Sequence, residues 1–215
     1  MSEDLLTASV FGRLAYLDGP VFWRILRRTF GNSLPEYRVA ELTRIEFWPQ
    51  WDDSGDENAR VEPDVFLDFN LGDPSVSVKL IVEAKLGTLP TQYAAQWLRQ
   101  WTSYRDANDN DGIEVFFVAI GGMGKNVDST IAKLVGQISS SGHDIKAVAA
   151  GWDRMLDALL EERSRCPSGP TTRIIDDMLK ALGMAGYQHL SFIGGLGWQP
   201  RGWIGSLNTP LCNLR

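Results

Sequence analysis

The run 76–85 is apolar, β-rich and ends on two opposite charges, Glu83 and Lys85, separated by Ala84. Side chains two apart on a strand share a face, so this carboxylate and ammonium point the same way. A second β-rich run, 62–69, carries Asp64 behind Pro63, nineteen residues before Glu83 (83 minus 64). Two carboxylates beside a lysine suit divalent-metal chemistry at a phosphodiester. Mg²⁺ (or Mn²⁺ in its place) keeps much of its hydration and accepts one or two protein carboxylates beside phosphate oxygens. It polarises the phosphoryl group and activates a water, while a lysine offsets charge in the transition state. The competing explanation is a solvated edge-strand face carrying a weak ion pair.

Strand parity is the first test of that chemistry. In the later run Lys79, Ile81, Glu83 and Lys85 take one face, and Val78, Leu80, Val82 and Ala84 the other. In the earlier run Glu62, Asp64, Phe66 and Asp68 oppose Val65, Leu67 and Phe69. Each strand thus has an apolar side and a side with acids, and pairing the two strands lets Asp64 approach Glu83.

A third element follows. Gln92, Gln96, Gln100 and Tyr104 recur every four residues, a drifting stripe along one helix face. Tyr93, Trp97 and Trp101 form the neighbouring, packed face. Pro63-Asp64, Glu83-Ala84-Lys85 and the Gln-x-x-x-Tyr of Gln100 and Tyr104 together resemble the PD-(D/E)XK nuclease superfamily, in its RecB-like variant, over about residues 36–122, with a helix-strand continuation to about 152. The resemblance implies a restriction-endonuclease-like core. It makes Asp64 and Glu83 metal ligands and Lys85 catalytic, with Gln100 and Tyr104 positioning substrate or water. The further upstream acid of that family is Glu46 or Glu41 here, with Glu46 favoured as nearer the turn into the Asp64 strand. If that acid belongs to the first helix, neither choice holds. The Gly-rich lead into the aspartate is replaced by Arg60-Val61-Glu62-Pro63.

The elements that must position these residues read as a mixed sheet flanked by helices, an α/β fold. Helices are expected over 3–17 and from Pro20 to about 31, the second carrying Arg24, Arg27 and Arg28. An extended run covers 37–48, an acidic loop 52–57 and a strand hairpin 61–69 and 76–85. A helix over 89–105 leads to a buried strand at 113–120. A helix at 127–140, a strand at 145–152 and helices at 153–163 and 171–183 complete the order. The whole reads as one domain: a helical part to about 35, a core over 36–152, and C-terminal helices with a Gly- and Trp-rich tail over 153–215. Gly121-Gly122-Met123-Gly124-Lys125 fails as a phosphate loop, because Ala119 and Asn126 stand where Gly and Ser or Thr are required.

Composition narrows the partners. At 215 residues, 44% hydrophobic and net charge −6, the chain suits a globular protein and argues against binding nucleic acid by bulk electrostatics. DNA is the expected substrate, with Arg24, Arg27, Arg28 and Gln96 as its candidate contacts and a protein partner or homodimer to supply targeting. Two cysteines without a Cys-x-x-Cys pair argue against structural zinc and fit a reducing cytoplasm. No apolar run approaches membrane-spanning length. An endonuclease of defence, repair or mobile-element biology is the first expectation. An inactive nuclease fold serving as a binding or assembly subunit is the second.

Overall fold

In the computed structural model, which describes residues 1–53, 55–108, 113–166 and 168–188, thirteen elements follow the expected order. They are α1 (Glu3–Leu14), α2 (Gly19–Phe30), β1 (Ala40–Phe47), β2 (Trp51–Asp53), β3 (Asp56–Val61), β4 (Val65–Leu71), β5 (Val76–Ala84), α3 (Ala94–Ala107), β6 (Ile113–Ile120), α4 (Val127–Ser140), β7 (Ala147–Ala150), α5 (Trp152–Arg165) and α6 (Pro170–Met184). The Gly- and Trp-rich tail lies outside the described residues beyond 188.

Five strands form one mixed sheet in the order β1-β4-β5-β6-β7. β1, β4 and β5 pair antiparallel, whereas β6 joins β5 and β7 joins β6 in parallel. Parallel neighbours need a crossover, and α3 and α4 supply the two. The alternation read from the sequence sorts the two faces. Val65, Leu67, Phe69, Val78, Leu80, Val82 and Ala84 are buried with α1, α2, α5 and α6. Phe66, Ile81, Phe117 and Ala119 are buried with α3 and α4. Phe69 anchors the first layer: the rings of Phe22 and Trp23 both meet it edge-on with centroids 5.2 Å away. Trp97 anchors the second, stacked on Phe117 at 4.7 Å.

Three local expectations differ from the structure, each for a physical reason. The acidic run 52–57 is not a plain loop: Asp52 and Asp53 lie in β2, and Asp56 and Glu57 in β3, which pairs with it. Trp51 fixes it by packing against Phe66 and Tyr104, with centroids 5.7 and 5.4 Å away, and Arg99 Nη2 grips Asp53 Oδ2 at 2.5 Å. Tertiary packing outweighs the local turn composition. The expected strand over 61–69 breaks at Glu62 and Pro63, because proline has no N–H for a ladder, so Asp64 precedes β4 rather than lying within it. The helix expected from 89 starts at Ala94, since the Thr91 N–H is taken by Gly122 O at 2.9 Å, in the loop after β6.

Candidate functional site

The register Val65↔Val82, carried one residue further, sets Asp64 opposite Glu83 where β4 begins and β5 ends. The Asp64 N–H donates to Val82 O (3.1 Å), and Asp64 O accepts from the Trp48 N–H (3.1 Å). Its Oδ2 accepts the Ala84 N–H at 2.7 Å. Glu83 is 1% exposed, a carboxylate that only a full set of donors makes tolerable. Its Oε1 accepts from Lys85 Nζ at 2.5 Å and Gln96 Nε2 at 2.7 Å, and its Oε2 from Gln100 Nε2 at 2.8 Å.

Burial first, then the neighbouring Glu83 charge, pushes the half-buried Asp64 carboxyl up to about 7; the Ala84 N–H and the Lys85 charge oppose the rise. Burial also draws the Lys85 pKa down, but the hydrogen bond and charge of Glu83, with Asp64 and Glu3, outweigh it and leave Lys85 above the ordinary lysine value. Lys85 is fixed through both its backbone and its ammonium. Its backbone N–H donates to Ile120 O at 2.8 Å, Trp152 Nε1 donates to its carbonyl at 3.0 Å, and Nζ reaches Glu3 Oε1 at 3.3 Å.

Glu3 was not among the expected site residues. It lies in the first turn of α1, whose N-terminus Ser2 caps by accepting the Leu5 N–H at 3.3 Å. Its other oxygen accepts the Leu86 N–H at 2.7 Å. The acid that reaches Lys85 therefore comes from the first helix. Glu46 instead lies 2.5 Å from Arg44 Nη2, and Glu41 is exposed opposite Asn70, at the far end of β1. In sequence, an acid in a first helical turn is indistinguishable from one that simply complements the helix dipole.

The glutamine stripe meets the site, and its tyrosine does not. Gln92, also missed as a site residue in this role, is buried and bridges Glu83 O (3.3 Å) and Gly121 O (3.2 Å) while accepting from Trp97 Nε1 (2.8 Å). Gln96 and Gln100 hold the Glu83 carboxylate. Gln100 Oε1 is buried without a partner. Tyr104 is packed between Trp51 and Phe66, and burial, then Asp68, raises its pKa above the ordinary tyrosine value. The glycines after β6 belong to this site rather than to a phosphate loop. Gly121, at φ +72°, would place a Cβ 1.9 Å from Lys85 O, and a Cβ on Gly122 would stand 2.6 Å from that of Lys85. Only glycine lets the two strand ends close this tightly.

The basic stretch is committed elsewhere. Arg24 pairs with both oxygens of Glu162, at 2.8 and 2.5 Å. Arg28 joins Glu162 at 3.4 Å and Glu161 at 3.0 Å. Arg27 donates to Leu34 O at 3.2 Å and lies 3.4 Å from Glu36. Glu162 is fully buried, and its hydrogen bond from Arg24 holds it below the usual carboxylate range. These arginines sit on α2, whose layer covers the sheet face opposite α3; Arg24 and Arg28 fasten α2 to α5, and Arg27 ties α2 to the segment that follows it.

Three carboxylates, Asp64, Glu83 and Glu3, thus face one ammonium, an excess of two negative charges when all are ionised. Among the described residues no group of three or more His, Cys, Asp or Glu side chains stands as a ready-made metal cluster. No helix among them is long and apolar enough to cross a membrane. No family model matches the chain, and no solved structure matches it. Over 165 residues, 74% of this chain, it is 28% identical to an uncharacterized protein of Pasteurella multocida (strain Pm70), and the match spans 59% of that protein's length.

Proposed function

We propose that the chain is a Mg²⁺- or Mn²⁺-dependent phosphodiesterase acting on DNA. The observation that carries this reading is Glu83: a buried carboxylate at a strand end, gripped by a lysine and two amides and facing a second carboxylate whose pKa is raised to about 7. Hard oxygen donors with surplus negative charge fit a hydrated divalent cation, and a bound cation would offset the burial and the Glu83 charge that raise the Asp64 pKa. Asp64 and Glu83 would hold the ion, with Glu3 as the acid on the far side of Lys85. When bound, the ion supplies Lewis acidity to a phosphoryl oxygen and acidifies a water. Lys85 steadies negative charge gathering on the phosphoryl oxygens. Gln100 Oε1, buried without a partner, would accept a hydrogen bond from the attacking water and so orient it.

A cytoplasmic setting, and a protein partner or second copy that supplies targeting, belong to the same proposal. The net charge of −6 and the internal pairing of the α2 arginines leave little surface to attract DNA unaided. The test is cleavage of plasmid and linear DNA by the purified chain with Mg²⁺ or Mn²⁺. Glu83→Ala and Lys85→Ala should abolish it while preserving the fold, and undiminished cutting without Lys85 refutes the assignment. A second reading, a non-catalytic subunit, draws on the engagement of Lys85 by both Glu83 and Glu3. Calorimetry separates the two: metal binding that is lost in Asp64→Ala supports the enzyme, and no metal binding supports the subunit.

A further inference from the structure

The residue hydrogen-bonded to Asp64 from the neighbouring strand, Trp48, has φ +50°. That left-handed backbone is rare for a bulky side chain, and such strain gathers at functional positions. The Trp48 N–H holds Asp64 O at 3.1 Å, so this corner and Asp64 stand about one strand spacing, ~5 Å, apart. Its half-buried indole rests on Phe47, with centroids 5.6 Å apart. A cleft of about 460 Å³ opens at the same corner, lined by Arg44, Glu46, Phe47, Pro49, Gln50 and Trp51.

The lining is planar and polar in the proportions a nucleobase needs. Trp51 is a fixed aromatic wall, held from behind by Phe66 and Tyr104. The Arg44 guanidinium lies 5.7 Å from the centre of the Phe66 ring and is paired with Glu46 at 2.5 Å, a second flat surface whose charge is balanced within the cleft. The exposed Gln50 amide donates to Glu62 and accepts from Arg60, surface contacts that a base edge would have to displace. Aromatic and guanidinium planes stack on any base, because every base has a π-face. In a duplex those faces are stacked and the pairing edges are occupied. The chain also lacks the charge for binding along phosphates, since its net charge is −6 and the α2 arginines are taken by glutamates.

We propose that the β1–β2 corner takes an unpaired nucleobase of the strand whose phosphodiester lies at Asp64, which makes single-stranded nucleic acid the substrate class. The position of the strand rests on the phosphodiesterase reading; the preference for an unpaired base rests on the cleft.

The experiment measures fluorescence anisotropy of a short labelled oligodeoxynucleotide with the full chain carrying Lys85→Ala, which stops turnover, in Mg²⁺. The same oligonucleotide is compared as a blunt duplex and with its bases replaced by abasic sites. Single strand should bind about tenfold or more tighter than duplex, and Arg44→Ala, Trp48→Ala or base removal should each cost about five- to fiftyfold. Arg44 is exposed, so its variant remains informative even where Trp48→Ala disturbs the corner. Equal affinity for single strand and duplex, or single-strand binding indifferent to Arg44→Ala and to base removal, overturns the proposal. Cleavage by the unsubstituted chain is scored separately: if it does not cut DNA with Mg²⁺ or Mn²⁺, the phosphodiesterase reading fails, while the base preference is decided by the anisotropy alone.

Discussion

Replacing Asp64 with Asn should stabilise the metal-free protein, and by an amount that depends on pH. Burial and Glu83 raise the Asp64 carboxyl from the ordinary 3.8 to about 7. Because the folded-state value lies above the unfolded one, ionised Asp64 destabilises the fold. That cost is full above pH 7, shrinks as the folded carboxyl takes up its proton below 7, and vanishes below 3.8. A shift of about three units at 1.36 kcal/mol each gives about 4 kcal/mol. Applying proton linkage to the same two values gives about 4 kcal/mol at pH 8, about 3 at pH 6 and under about 2 at pH 5. Asn keeps an oxygen for the Ala84 N–H, which now donates to Asp64 Oδ2 at 2.7 Å, so the substitution removes the charge and little else. Urea denaturation of both proteins across this pH range, with EDTA present, reads the difference directly. Adding Mg²⁺ at pH 8 should then raise the stability of the wild type and leave the Asn variant unmoved, closing the gap. A variant less stable than wild type at pH 8, or a gain that does not shrink on acidification, refutes the account of Asp64 as a carboxylate short of positive charge.

Glu3→Ala should lower metal-dependent cleavage by ~10–100-fold, as loss of a residue that orients a metal site does, and should expose the Leu86 amide to faster hydrogen exchange. Gly121→Ala should destabilise the fold by more than ~1 kcal/mol from its positive φ alone; because its Cβ would meet Lys85 O at 1.9 Å, cleavage should fall further than stability, measured by comparing activity with the denaturation midpoint. Glu162→Ala should cost ~3 kcal/mol by removing the partner of Arg24 and one of the two partners of Arg28, with a normal KM for any DNA cleaved by the fraction that remains folded.

What could be read from the sequence follows from which interactions are periodic. Alternation in 65–71 and 76–84 sorted every residue to the correct face, since a strand's period of two admits no other choice. The shared face of Gln96 and Gln100 was legible because four residues are close to one helical turn, although Gln96, expected as a DNA contact, holds Glu83 instead. Tyr104 was not. At 3.6 residues per turn each four-residue step advances about 40°, so two steps from Gln96 turn Tyr104 about 80° away, off Glu83 and into the Trp51–Phe66 cluster. The α2 arginines looked free because Glu162, which neutralises Arg24, lies 138 residues later. Glu3 lies 82 residues before Lys85, and its first-turn position has a sufficient local explanation in the helix dipole. Aperiodic, long-range partners leave no mark on the segments they join.

The meeting of Asp64 with Glu83 is itself a long-range outcome of a local choice. Parity allowed the two acids to share a face, but the register Val65↔Val82 decides that they oppose each other. That register is set at the other end of the hairpin, where β4 ends at Leu71 and β5 begins at Val76. Seven residues of strand at about 3.4 Å each put the turn ~24 Å from Asp64. A slip of one residue there would bring Val82 or Ala84 opposite Asp64 and turn β5's apolar face toward α3. The apolar faces forbid the slip: Val78, Leu80, Val82 and Ala84 are all fully buried against the α1 and α2 side. The core that gives the fold its stability therefore also sets the spacing of the two carboxylates. A substitution in the turn that altered the register would unfold the protein before it produced a misaligned site.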